Sequence, residues 1–231
     1  MRLFLASLSF AVCLLTALIL SGTHAQSFQY CEKTNYSAQQ ITDAVNASTL
    51  RDDLKSTSCS LGGLGRFESG GNKGIDNGSC CTGIFQLNGE NVRNAGYTKE
   101  SYGCASLQDQ VDAWARLTNV GYNTSAVRTL SGMTTFDGQT VDASFIAACI
   151  QLGPGNCQKM INGGTCASWS DSNGTTICDM ARQAKANAAP SCDNNQTVQC
   201  GLGDFPTAPV AANAMQSTAP TADLTLPASA G

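Results

Sequence analysis

The sequence predicts a mainly α-helical domain stapled by disulfides, and three observations lead there. Twelve cysteines stand in 231 residues, all but Cys13 behind an export-type leader. In an exported chain that density reads as a disulfide framework. Several segments carry apolar residues at helical spacing and open with a capping side chain. Alternating strand patterns, by contrast, are scarce.

The leader comes first. Met1-Arg2 precedes an apolar run from Leu3 to Leu20, and Ser21-Gly22-Thr23-His24-Ala25 follows. One basic residue, an apolar stretch and small residues before the cut describe a signal peptide over residues 1–25. The apolar run would be marginal as a membrane anchor, and the small polar residues at its end favour cleavage before Gln26. No later segment is apolar and long enough to span a bilayer, so the product is expected to be secreted or periplasmic. The sole histidine, His24, leaves with the leader. That excludes Ser-His-Asp triads, Cys-His dyads and histidine zinc sites, and no metal or organic cofactor is expected. Charged residues are only 13%, the formal charge is −4, and no basic run occurs, so nucleic acid is a poor partner.

Residues 26–200 form the expected domain. Ser37 and Gln40 make a capping box for a helix from Ser37 to Ser56, with Ile41, Val45, Leu50 and Leu54 as its stripe. Leu61, Leu64 and Glu68 share a further helical face, weakened by glycines. Gly70 to Thr82 reads as a loop, and a short apolar segment, Gly83 to Leu87, follows. Ser106 and Asp109 cap a helix to Thr118 lined by Leu107, Val111, Trp114 and Leu117. Thr140 to Leu152 is another helix, stopped by Gly153-Pro154-Gly155, and Ile177 to Ala188 is the last. Residues 201–231 are rich in Ala, Pro and Thr, lack cysteine, and read as a disordered tail.

Cys13 leaves with the leader. Cys31, Cys59, Cys80, Cys81, Cys104, Cys149, Cys157, Cys166, Cys178, Cys192 and Cys200 remain. Their connectivity is open, and the odd number leaves one thiol over. Cys80 and Cys81 are expected to bond to different partners, because a ring closed between neighbours is strained. Asn-x-Ser/Thr sequons occur at Asn35, Asn46, Asn77, Asn123, Asn173 and Asn195, glycan acceptors only in a eukaryotic export route.

Glutamate is rare, and Glu68 stands at the junction of an apolar helix face and a polar loop. A carboxyl half-buried there is held protonated, as a general acid for glycosidic cleavage must be. The segment Phe67-Glu68-Ser69-Gly70-Gly71-Asn72 is followed by Thr82-Gly83-Ile84-Phe85-Gln86-Leu87-Asn88, then by Ala148-Cys149-Ile150-Gln151-Leu152-Gly153-Pro154-Gly155. In order and spacing these resemble the three motifs of the soluble lytic transglycosylase and lysozyme-like superfamily, over roughly residues 61–160.

The resemblance implies a lysozyme-like domain that cleaves peptidoglycan glycan strands at the MurNAc-GlcNAc bond as a lytic transglycosylase, with a lysozyme-type hydrolase as the alternative within the fold. It implies Glu68 as the catalytic acid and base, with Ser69 shaping the site. Gln86 would line the sugar cleft, and Gln151 would stand for the family's substrate-contacting asparagine; Asn88 and Tyr97, at and after the glutamine segment, are further substrate-binding candidates. Ile150 replaces the family's tyrosine and so lacks its hydroxyl. A lytic transglycosylase needs one carboxylate, because the substrate's N-acetyl group and C6 hydroxyl do the rest. A lysozyme-type hydrolase needs a second, for which Asp76 is the best candidate, although its glycine-rich loop favours a solvated turn residue there. An inactive, disulfide-rich wall-binding protein is the alternative outside enzymes. Tyr97 and Tyr102 are placed near the cleft or in packing, Trp114 in the core, and Trp169 in a polar loop, either as an ordinary loop residue or as an exposed sugar platform.

Overall fold

The computed structural model describes residues 27–190. The leader, the tail at 201–231, Cys192, Asn195 and Cys200 lie outside the described residues.

Helix α1 (Ala38–Ala47) opens on the expected capping box of Ser37 and Gln40 and buries Ile41 and Val45. It stops at Ser48, whose hydroxyl donates to the Val45 carbonyl at 2.7 Å and accepts the Leu50 N–H at 3.2 Å. That local bonding competes with the helix. The expected helix from Ser37 to Ser56 is therefore two, the second being the single turn α2 (Asp52–Lys55).

Helix α3 (Ser58–Ser69) carries the glycines that weakened the sequence reading. Packing explains them. A Cβ on Gly62 would lie 2.4 Å from the Ala38 carbonyl oxygen of α1, and one on Gly63 would lie 2.0 Å from the Ala184 carbonyl oxygen. The glycines let α3 run backbone to backbone between α1 and the last helix, α10 (Ile177–Ala186).

The stretch from Gly70 to Thr82 is not all loop. Strands β1 (Phe28–Gln29), β2 (Ile75–Asp76), β3 (Cys81–Thr82) and β4 (Leu87–Asn88) pair antiparallel, in that order, in a small sheet. Two-residue strands are too short to show alternation in a sequence. Two further short helices follow, α4 (Gly89–Asn94) and α5 (Lys99–Cys104). Helix α6 (Leu107–Tyr122) starts at Ser106, which accepts the Asp109 N–H. Next come α7 (Ser125–Ser131) and a hairpin, β5 (Thr135–Phe136) with β6 (Gln139–Thr140), turned by Asp137 and Gly138 at positive φ.

Helix α8 (Ala143–Gln151) has every residue from Ala143 to Ile150 buried. A helix apolar all round belongs at the centre of a core, and α8 packs against α6, α7 and α10. Helix α9 (Pro154–Gly163) begins on its proline, as a first helical position allows. A 3₁₀ turn (Cys166–Ser168) and α10 (Ile177–Ala186), capped by Thr176 and Asp179, complete the described chain. The result is mainly helical, and one apolar cluster runs through it from Ile41 to Ala184. Among the described residues no helix is long and apolar enough to cross a membrane.

Four disulfides join described cysteines: Cys31–Cys104, Cys80–Cys81, Cys149–Cys157 and Cys166–Cys178, and Cys59 is bonded as well. The pairing of Cys80 with Cys81 corrects the expectation of separate partners. The Asn77 side chain accepts the N–H groups of Ser79, Cys80 and Cys81 at 3.0–3.1 Å. That tight turn brings the Cα atoms of Cys80 and Cys81 to 3.7 Å and turns the two side chains on each other. Alkylation of the unfolded, unreduced protein followed by peptide mapping should leave every cysteine from Cys31 to Cys178 unlabelled. Labelling of Cys80 or Cys81 would refute the adjacent pair.

Candidate functional site

Glu68 sits on the last turn of α3. The helix ends at Gly70, in left-handed conformation with φ 63°, where the missing Cβ removes the steric cost. Arg66 Nη1 donates to Asn35 Oδ1 at 2.8 Å and to the Tyr36 carbonyl at 3.0 Å, tying this helix end to the N-terminal arm. Ser69 is buried; its hydroxyl donates to the Gly65 carbonyl and accepts the Gly71 N–H. It shapes the helix end that presents Glu68 and does not line the cavity beside it.

The three motif segments meet at Glu68. Gln151, at the end of α8, donates from Nε2 to Glu68 Oε1 at 3.3 Å and to the Phe85 carbonyl at 2.6 Å. Its Oε1 accepts the Trp114 indole N–H at 3.1 Å. Indole is only a donor, so this bond fixes which end of the amide faces Glu68. Trp114 is itself locked, 2% exposed and stacked on Phe85 at 4.1 Å between ring centres. It lies in the core as expected and also orients the site.

Glu68 is half-buried. Desolvation raises its pKa most, the Gln151 hydrogen bond lowers it, and the Asp171 carboxylate raises it again; the balance is about 8, from an ordinary 4.5. A carboxyl with that value carries its proton at neutral pH.

Glu68 lines a cavity of about 690 Å³, counted to its open mouth, with Phe67, the Cys80–Cys81 pair, Gln86, Asp171 and Asn173 among its walls. A neighbouring, much narrower compartment of about 30 Å³, with room for about one water molecule, is lined by Asn88, Asn91, Trp114, Ile150 and Gln151. Gln86 lines both. It ends the tight β3–β4 turn at φ 47°, and Nε2 donates to the Gly83 carbonyl at 2.9 Å. A non-glycine residue held there costs about 1 kcal/mol or more, a strain that tends to gather at functional sites. Asn88 caps α4 by accepting the Asn91 N–H. Asn91 Oδ1 is buried with no hydrogen-bond partner among the described residues. Ile150 packs against Gly121. Among the described residues no three His, Cys, Asp or Glu side chains gather as a metal site.

Other candidates are placed elsewhere. Tyr97 packs edge-on against the fully buried Tyr102 at 5.6 Å and lines neither compartment. Trp169 packs half-buried on the core instead of standing exposed. The aromatic ring at the cavity is Phe67, 37% exposed; its position beside Glu68 was the available signal. Two sequon residues, Asn77 and Asn173, also line the cavity.

Asp76 is neither a solvated turn residue nor a wall of either compartment. It lies in β2, 1% exposed, accepting from Thr82 Oγ1 at 2.6 Å and the Gly78 N–H at 2.8 Å, with Lys99 Nζ at 3.1 Å. Burial raises its pKa, but those three partners outweigh burial and hold it below 3.8. Its stabilising contribution is therefore full above pH 3.8 and is lost as pH falls through the lowered folded-state value. Asp76→Asn should cost about 2 kcal/mol in urea unfolding at pH 7, discounted for the partly exposed Lys99. It should leave turnover by the folded molecules intact; a selective loss of turnover would return Asp76 to the chemistry.

Compared with known proteins, the chain matches no family model, no curated protein and no solved structure.

Proposed function

We propose that the protein cleaves the glycan strands of peptidoglycan, with Glu68 as the acid that protonates the glycosidic oxygen. The observation that carries this reading is the half-buried Glu68 carboxyl in the wall of an open cavity, held by Gln151 and protonated up to about pH 8. As the bond from the anomeric carbon to the glycosidic oxygen breaks, its electron pair goes to that oxygen and Glu68 supplies the proton. Amide side chains of Gln86, Asn88, Asn91 and Gln151 around the narrow adjoining compartment suit a sugar hydroxyl reaching into it. The free Asn91 acceptor is satisfied when a donor on the substrate reaches it. The sequence resemblance to lytic transglycosylases and lysozymes supports the same chemistry.

Ile150 cannot supply the hydroxyl that the family's tyrosine would. The Gln151 amide instead reaches the acid directly, at 3.3 Å. Incubating the purified protein with purified peptidoglycan and analysing the supernatant by mass tests the proposal. Soluble muropeptides are expected. Binding to the insoluble wall without their release would instead favour the inactive wall-binding reading.

A further inference from the structure

A glycan-cleaving site with one acid can let the substrate close its own ring, or it can use a second carboxylate on water. Asp76 is unavailable for the second route, tied down by Thr82, Gly78 and Lys99. Another carboxylate stands in the cavity. Asp171 lines it together with Glu68, Phe67 and Gln86.

The way Asp171 is held suits a working group. Its Oδ1 accepts the N–H groups of Asn173 at 2.9 Å and Thr175 at 2.7 Å. Its own N–H donates to the Thr175 carbonyl at 3.0 Å. The turn is bracketed by the Cys166–Cys178 disulfide and runs into the capped start of α10. Helix α10 in turn abuts α3, the carrier of Glu68, at the Gly63–Ala184 approach. Oδ2 has no hydrogen bond among the described residues. The carboxylate is thus fixed through one oxygen and open at the other.

Among the described residues no hydrogen bond joins Asp171 to Glu68, although both line the one cavity. That cavity is open and roomy enough for water, which suits a base that acts through water.

Building on the proposed glycan cleavage, we propose that Asp171 is the general base of a hydrolase, activating water for attack on the anomeric carbon. The base takes one proton from water, and the water oxygen bonds to the anomeric carbon. The bond to the leaving oxygen breaks, and that oxygen takes its electron pair and the Glu68 proton. One water is consumed, Glu68 ends ionised and Asp171 protonated, and solvent resets both. The product is a reducing end of inverted configuration, not a 1,6-anhydro sugar.

Product analysis on peptidoglycan separates the outcomes. The wild type should release fragments heavier by one water than anhydro products, and early time points should show the inverted anomer. Asp171→Asn keeps the Oδ1 acceptor for the turn, so it should fold with an unchanged melting temperature. It should lose about 10²-fold or more in kcat with KM little altered. Azide should restore part of that rate and appear in the product as a glycosyl azide, which a structural role would not produce. Anhydro products from the wild type, or full turnover by Asp171→Asn, would overturn this inference while leaving glycan cleavage standing. Absence of cleavage by the wild type, or cleavage undiminished in Glu68→Gln, would instead overturn the parent reading.

Discussion

Glu68→Gln should abolish peptidoglycan cleavage to within a residual rate at least about 10²-fold below wild type, the scale of a positioned general acid. The substitution conserves size and leaves an amide that still accepts from Gln151, so folding and glycan binding should persist. Glu90→Gln and Glu100→Gln should change nothing, since those carboxylates stand on α4 and α5 and line neither compartment. The wild-type kcat/KM should fall as pH rises past about 8, where Glu68 loses its proton. Wild-type turnover in Glu68→Gln, measured as soluble fragments released, would show that the motif match was coincidental.

The same group sets a stability trend. The folded-state value, about 8, lies above the ordinary 4.5. Between those pH values the native protein holds a proton that the unfolded chain has released. The contribution of Glu68 is therefore full below pH 4.5, and it is lost as pH rises towards 8. The shift corresponds to a ceiling of about 5 kcal/mol, and water at the cavity mouth screens part of it, so roughly 2 kcal/mol is the expected size. Urea unfolding at pH 5 and pH 8.5 should show this decline in the wild type and none of it in Glu68→Gln.

The helices that were legible in the sequence are those with a cap and a stripe. Ser37 with Gln40 and Ser106 with Asp109 fixed two starts to the residue, because a side-chain oxygen facing an unpaired N–H is a local event. The short strands were not legible, since two residues carry no period. Glu68 and Gln151 stood out in the sequence as candidates, but their contact was not legible: it depends on α8 packing through the middle of the core. Asp171 was invisible. In Ser170-Asp171-Ser172-Asn173-Gly174 an aspartate reads as a turn former, and it is one. The close approach of α10 to α3 brings it into the wall of the Glu68 cavity. The residue that permits that approach, Gly63, read merely as a weak helix former.

Gly63 therefore has a large expected effect. Gly63→Ala adds one methyl group, and in an exposed helix it would gain up to about 1 kcal/mol from helix propensity. Here the new carbon would lie 2.0 Å from the Ala184 carbonyl oxygen, 2.7 Å from the Ala188 nitrogen and 2.9 Å from the Asn187 carbonyl carbon. All three are backbone atoms, so no rotamer change relieves the overlap, and α10 must shift as a body. That shift strains the packing of Ile177, Cys178, Ala181 and Ala184, which are buried. It also carries the Asp171 turn away from Glu68. Overpacking of this kind costs about 3 kcal/mol, near the upper end of its usual range. For a domain of this size that lowers Tm by roughly 6–12 °C. Turnover should fall with it, even well below Tm, because the two carboxylates no longer face one cavity. Gly155→Ala is the matched control: nothing lies within 4 Å of the added carbon in the first turn of α9, so its Tm should hold or rise slightly. Equal melting temperatures for Gly63→Ala and Gly155→Ala would mean that α3 and α10 do not meet backbone to backbone, and the placement of Asp171 beside Glu68 would fall with that contact.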